Sequence, residues 1–181
     1  WYNALMHSFI FAMHVRDYKK ALDIRSLVVE SGSLKYQFQN RSETWGLHDA
    51  FLQYLSLCGK LSLPEDFGTS TFRINKFLNE VPAYSMDNSG SNIPILIIQI
   101  LILIARDQRD KLTDKIEAIE KYTSRYLRRE DNFRSKCFIK MLLQIPKRHF
   151  NRIAVNRHTQ KLKEKLNNIN LSSQEKYATR K

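Results

Sequence analysis

Apolar residues crowd into one stretch of this chain: Ile93–Ala105 reads IPILIIQILILIA, and only Pro94 and Gln99 interrupt its aliphatic side chains. A run with no polar face predicts a helix buried by neighbours on most sides. Its thirteen residues fall short of the roughly 20 needed to cross a bilayer, so no membrane span is expected. Asn92 is placed to cap this helix, and Pro94 suits its first turn, where a missing N–H costs nothing. The charged run Arg106-Asp107-Gln108-Arg109-Asp110 ends it.

Elsewhere the apolar positions recur at helical spacing. Leu5, Phe9, Ala12 and Met13 mark a helix over 1–14. Asp17 is a good cap for a second over 18–30, with Tyr18, Ala21, Leu22, Leu27 and Val28 on one stripe and Ser31-Gly32 to stop it. Ser42 is expected to cap a third over 43–60, whose Leu47, Phe51, Tyr54, Leu55 and Cys58 form the core stripe. A short helix over 71–80 precedes a loop at 81–92 rich in Ser, Asn and Gly. After the aliphatic run, Leu112, Ile116, Ile119, Thr123 and Tyr126 line a helix over 110–127, with Asp107–Lys111 and Glu117–Lys121 as i, i+4 pairs. Arg128 to Asp131 makes a charged elbow. Phe133, Cys137, Phe138, Met141, Leu142 and Ile145 mark a helix over 133–145, and Phe150, Ile153, Leu162, Leu166 and Ile169 mark the last, over 150–168. Short connections join neighbours into antiparallel hairpins at 1–30, 93–127 and 132–168, with a looser pair at 43–80. The expected fold class is all-α: stacked helix hairpins, about eight helices, in one domain over 1–169, followed by a polar basic tail at 170–181. The chain opens at Trp1 in mid-pattern, which predicts a piece of a longer protein.

The segment Tyr18-Lys19-Lys20-Ala21-Leu22 resembles the aromatic-x-x-Ala spacing in the second helix of the tetratricopeptide-like repeat family, and the likeness covers residues 1–30. The stretch 129–168 is similar to the C-terminal ends of uncharacterised bacterial helical-repeat proteins. This resemblance implies an α-solenoid segment, a fold that holds peptides or partner proteins in a concave groove. Tyr2, Tyr36, Trp45 and Tyr54 are the candidate groove residues.

Charge changes this picture at one end. Residues 1–105 carry nine basic and nine acidic side chains, so the whole net charge of +12 lies in 106–181. Such asymmetry favours anionic partners. Lys147, Arg148, Arg152, Arg157, Lys161, Lys163 and Lys165 are the candidate anion or nucleic-acid contacts, in a chain without an RNP pattern, zinc finger or recognition helix. Phe133, Phe138 and Phe150 are read as core rather than as base-stacking platforms.

The search for catalytic chemistry returns little. Cys58-Gly59-Lys60 lacks the upstream glycine and following Ser/Thr of a phosphate loop. His7 and His14 share a helix face with Asp17 nearby, a poor metal set, and His48-Asp49 are neighbours that point in different directions. Glu65-Asp66 and Glu130-Asp131 fall in connections, where solvation or helix capping explains them. Cys58 and Cys137 are isolated in apolar patterns and read as buried free thiols of a cytoplasmic protein. The expectation is a non-enzymatic module with no metal or cofactor, binding a protein or peptide, with non-specific nucleic-acid binding as the alternative.

Overall fold

The structure, a computed structural model, describes residues 1–32, 39–67, 73–79, 93–126 and 133–168. These form eight helices and no strand: α1 (Tyr2–His14), α2 (Tyr18–Glu30), α3 (Gln39–Leu57), α4 (Ile74–Asn79), α5 (Ile93–Ala105), α6 (Arg109–Tyr126), α7 (Phe133–Lys147) and α8 (Arg152–Asn168). The fold is all-α, as the apolar spacing required. The loop at 81–92, the Asn92 cap, the elbow at 128–131, Ile169 and the tail at 170–181 lie outside the described residues.

The chain forms two compact units, Trp1–Glu80 with α1–α4 and Val81–Lys181 with α5–α8. In the first, α1 and α2 pack as a hairpin. Asp17 caps α2 as expected, its Oδ1 accepting from the Lys20 N–H at 3.1 Å. The core joins Tyr2, Phe9 and Ala12 of α1, Ala21, Ile24 and Val28 of α2, and Trp45 and Leu52 of α3. Leu27, expected in the stripe of α2, is half in solvent, because the buried positions fall at Ala21, Ile24 and Val28 and leave it a third of a turn away.

Two further corrections concern α3. It begins at Gln39, so Ser42 lies inside the helix and does not cap it. Its buried face is Trp45, His48, Asp49 and Leu52, whereas Leu47, Phe51, Tyr54 and Leu55 are half-buried and Cys58 is exposed. The stripe is rotated toward the polar residues because aromatic rings of α1 and an arginine of α2 meet them there.

In the second unit α5 packs against α6 and α7, and α7 against α8. Seven of the thirteen residues of α5 are buried, Gln99 among them, and the helix occupies the range that the aliphatic run marked. Leu112, Ile116, Ile119 and Thr123 of α6 are buried as expected. On α7, which touches both α6 and α8, the buried side chains are Cys137, Ile139, Leu142 and Leu143. Phe138 is 39% exposed, so it is no core residue. Ile153 is likewise 81% exposed: on α8 the inward positions are half-buried Val155, Leu162 and Leu166 around buried Thr159.

One device recurs. α1, α5 and α7 each end in a residue with a left-handed backbone, Arg16 (φ 63), Asp107 (φ 51) and His149 (φ 50). In each case that residue's N–H donates to the carbonyl three back, to Met13, Ile104 and Pro146. The following N–H donates to the carbonyl five back, on Ala12, Leu103 and Ile145. This is the paired closure of a Schellman turn. α3 ends the same way at Gly59 (φ 67). Because Asp107 sits in this turn, it pairs with Arg109 at 2.8 Å rather than with Lys111 along a helix.

Candidate functional site

The basic candidates lie on the α7–α8 hairpin, and the structure divides them. Its turn puts His149 and Phe150 (φ 61) in the left-handed region, and the Asn151 side chain then caps α8 by accepting from the Ala154 N–H at 3.0 Å. Two of the seven candidate cations are occupied within the chain. Lys147, at the end of α7, pairs with Glu120 of α6. Arg148 in the turn is half-buried, with Nη2 3.4 Å from His158 Nδ1. The guanidinium of Arg109 lies 4.6 Å over the Phe150 ring, so this aromatic is covered by a cation of α6 rather than offered to a ligand.

The remaining five, Arg152, Arg157, Lys161, Lys163 and Lys165, are exposed on α8. No ion pair among the described residues engages them; Lys163 donates to Asn156 Oδ1 at 3.2 Å. Their spacing spreads them around the helix. Arc by arc, Arg152, Asn156 and Lys163 share one flank, Arg157 and Lys161 point outward, and Lys165 lies toward the opposite flank.

Sequence reasoning passed over two cations that belong with these. Lys136 and Lys140 of α7 act electrostatically on the Cys137 thiol together with Lys165 of α8. Burial pushes that thiol's pKa up, against the pull of Lys140, Lys165 and Lys136. The signal was available as an i, i+4 lysine pair beside a buried position on a helix with no carboxylate.

The groove candidates fare differently. Tyr36 lies outside the described residues. Tyr2 and Trp45 are buried, only 8% and 3% exposed. Their rings meet edge to face at 6.4 Å, and Phe9 meets Trp45 at 5.4 Å. Tyr54 is half-buried on α3, its hydroxyl pKa raised by burial and by the neighbouring Cys58 thiol.

This aromatic core encloses charge. Arg25 of α2 grips Asp49 of α3 through Nε–Oδ1 at 2.9 Å and Nη2–Oδ2 at 3.3 Å, and its guanidinium lies 4.5 Å over the Phe67 ring. Burial raises the Asp49 pKa, and the Arg25 hydrogen bond and charge oppose that rise. His48, stacked on Phe9 at 4.4 Å and edge-on to Trp45 at 5.0 Å, is desolvated, which lowers its pKa to about 4. It is therefore a neutral core side chain. In the second unit Lys115 donates to the buried Gln99 Oε1 at 2.8 Å, and burial lowers its pKa.

One recess is present on the first unit. It encloses about 480 Å³ between α1 and α2 and is lined by His7, Ser8, Phe11, Ala12, Val15, Asp17, Lys20 and Ile24. Phe11 and Val15, one helical turn apart, are 67% and 55% exposed. No described helix is long and apolar enough to cross a membrane, and no group of three His, Cys, Asp or Glu among the described residues is placed to hold a metal. No protein-family model, curated protein or solved structure matches this chain.

Proposed function

We propose that this chain is a non-catalytic helical-repeat module, of the tetratricopeptide-like kind, that binds a protein or peptide partner. The observation that carries this reading is the apolar recess between α1 and α2, flanked by the exposed Phe11 and Val15. Large apolar side chains held in solvent beside a concavity are what partner surfaces offer. Lys20 and His7 at the lining supply polar contacts that fix orientation. Both cysteines are free thiols, which fits a cytoplasmic site of action. Panning a displayed peptide library against the chain tests the reading. Peptides with an apolar anchor are expected to enrich, and the paired change Phe11→Glu and Val15→Glu, both at exposed positions, is expected to abolish their binding without changing the melting temperature. Failure to enrich any peptide, or binding indifferent to that pair, removes this reading.

A second reading is non-specific nucleic-acid binding. The five exposed cations of α8, against the single carboxylate Glu164 on that helix, favour it. Its test is a salt titration of binding to labelled mixed-sequence DNA and RNA: counterion release requires affinity to fall steeply as salt rises.

A further inference from the structure

We infer that the groove between α1 and α2 takes an amphipathic α-helix whose apolar seam is flanked by carboxylates. The inference rests on the first reading above, a protein or peptide partner, and gives that partner a shape and a charge.

The spacing of one exposed face sets the shape. Ala4, Ser8, Phe11 and the C-cap Val15 are all exposed on α1 and follow one another by four, three and four residues. At 100° per residue they stay within about 60° of arc. This is the alternation by which helices of a coiled coil meet along a seam. α1 contains no Asp, Glu, Lys or Arg, so no full charge interrupts it. Ser8, Phe11 and Val15 line the recess of about 480 Å³, whose other wall includes Lys20 and Ile24 of α2. Leu27, two turns after Lys20 and so on its flank of α2, is also exposed. It stands toward the end of α2, which the antiparallel hairpin returns beside the start of α1. The seam side chains follow one another about every 5 Å along α1, the step of a second helix packed alongside. A strand presents a side chain on one face only about every 7 Å and falls out of step.

Charge complementarity gives the partner its sign. Lys20 stands in the wall of the groove, and exposed Arg16 lies between Val15 and Asp17, which both line it. Neither cation forms an ion pair among the described residues, whose pairs are Arg25–Asp49, Arg109–Asp107 and Lys147–Glu120. Asp17, the one carboxylate of the lining, caps α2, and the N-terminus of that helix offsets its charge. His7, in the lining, and His14, two turns on, border the seam on the side away from α2. A docked helix with acidic flanks therefore meets cations on one edge and imidazoles on the other. A second copy of this chain fits worse, since its α1 has no carboxylate to offer and it brings its own Arg16 and Lys20 to the same groove.

The probe is a fluorescein-labelled synthetic peptide of about two heptads with Leu at a and d, Glu at e and g and Ala elsewhere, titrated with the full chain. Glu on both edges keeps it from pairing with itself. One control peptide has the same composition but alternates its Leu as a strand does, and another carries Lys in place of Glu. The first peptide is expected to bind, and the circular dichroism of the mixture to show more helix than the separate components. Ala4→Glu tests the seam, because Ala4 lies on it but does not line the recess. A carboxylate there, under an apolar helix, is expected to weaken binding at least about tenfold. Asn3→Glu, exposed beside it but off the seam, is expected to cost under about twofold. Both place one carboxylate in the first turn of α1, where the helix dipole favours it. Lys20→Glu is expected to lower affinity about two- to fivefold and to narrow the preference for the Glu-flanked peptide over the Lys-flanked one. Equal effects of Ala4→Glu and Asn3→Glu, or equal binding of the strand-patterned peptide, overturn the helix. If that binding is lost in Phe11→Glu/Val15→Glu, the first reading stands without it. A Lys-flanked peptide bound as tightly overturns the charge. A dimer of the parent chain in sedimentation, dissociated by Phe11→Glu/Val15→Glu, overturns the inference in favour of a second copy. Failure of the designed peptide while a panned peptide binds at Phe11 and Val15 overturns the inference alone, and failure of both removes the first reading with it. Thermal melts check the fold, and Ala4→Gln against Asn3→Gln replaces the Glu pair if either does not fold, with the same order of effects expected.

Discussion

The two units bury their interiors by opposite means. In Trp1–Glu80 the core is partly aromatic and partly ionic: Phe9 and Trp45 pack on neutral His48, Tyr2 meets Trp45, and Asp49 is held by Arg25. In Val81–Lys181 it is aliphatic, with one amide, Gln99, reached by Lys115 from α6. An aliphatic core asks only for volume and exclusion of water, and many arrangements satisfy it. A core with a buried ion pair is unforgiving, because each charge is tolerable only while its partner stays. The contrast predicts that the first unit depends on a few specific pairs and the second on bulk packing.

The sharpest way to break that contrast is to remove one half of the ion pair. Arg25→Met leaves the Asp49 carboxyl buried without its cation, and the expected loss is about 3–5 kcal/mol by urea denaturation. The double change Arg25→Met/Asp49→Leu removes both charges and is expected to recover most of that loss. If Arg25→Met alone costs under about 1 kcal/mol, the ion pair is only a surface contact and the contrast fails.

A smaller effect concerns acid. The His48 ring titrates near 4 in the fold, against about 6.5 in an unfolded chain. Between these values the unfolded chain binds more protons than the folded one, so stability falls as pH drops from about 6.5 toward 4. The full contribution present at neutral pH is about 3 kcal/mol. Asp49 acts in the opposite sense, since its raised pKa lets the folded state keep a proton that the unfolded chain releases. Comparing the parent with His48→Leu separates the two: stability of the variant is expected to vary less across pH 4–6.5, measured by denaturation at a series of pH values. An unchanged pH profile rejects a buried neutral His48.

Gln99 supplies the matching test in the aliphatic unit. Gln99→Leu replaces a fully buried amide within a helix otherwise lined by Ile and Leu. The apolar gain offsets the lost hydrogen bond from Lys115, whose half-buried ammonium turns to solvent. The expected change is within about 1.5 kcal/mol in either direction. A loss like that expected at Arg25 means that the second unit also hangs on a polar pair.

This difference governed how much was legible beforehand. The aliphatic run set the bounds of α5 because no other element accommodates a continuous apolar stretch of that length, and Asp17 announced α2 because its carboxylate has one obvious use. The face of α3 was misjudged for a physical reason. Periodicity counts Leu47, Phe51 and Leu55 as inward because they are apolar, but His48 and Asp49 are inward because Phe9 and Arg25, distant in sequence, receive them. Tertiary pairing of polar groups leaves no local trace. The basic candidates split in the same way. The excess of cations on α8 was plain in the composition, whereas the use of Lys147 by Glu120 depends on how helices meet.

The repeated turn is the feature in which the two units agree, and it defines the smallest expected effect. A left-handed backbone brings the Cβ of an L-residue too near its own chain, which is why glycine dominates this position. Gly59 obeys the rule after α3, whereas Arg16, Asp107 and His149 hold the same conformation at the ends of α1, α5 and α7. Glycine there relieves the backbone strain but gives the unfolded chain more freedom, so the net gain is expected to be about 0.5–1 kcal/mol. His149→Gly is a clear case, because the imidazole is exposed and His149 engages the turn through its N–H to the Pro146 carbonyl. Asp107→Gly is expected to gain less, since it also removes the exposed pair with Arg109. Thermal melts of Arg16→Gly, Asp107→Gly and His149→Gly should therefore all move upward, with Asp107→Gly last. A fall in all three contradicts the left-handed turn, and the hairpins of the two units then do not close by a common device. A rise confined to one unit leaves the turn shared in outline while its strain is relieved in the other by contacts beyond the backbone.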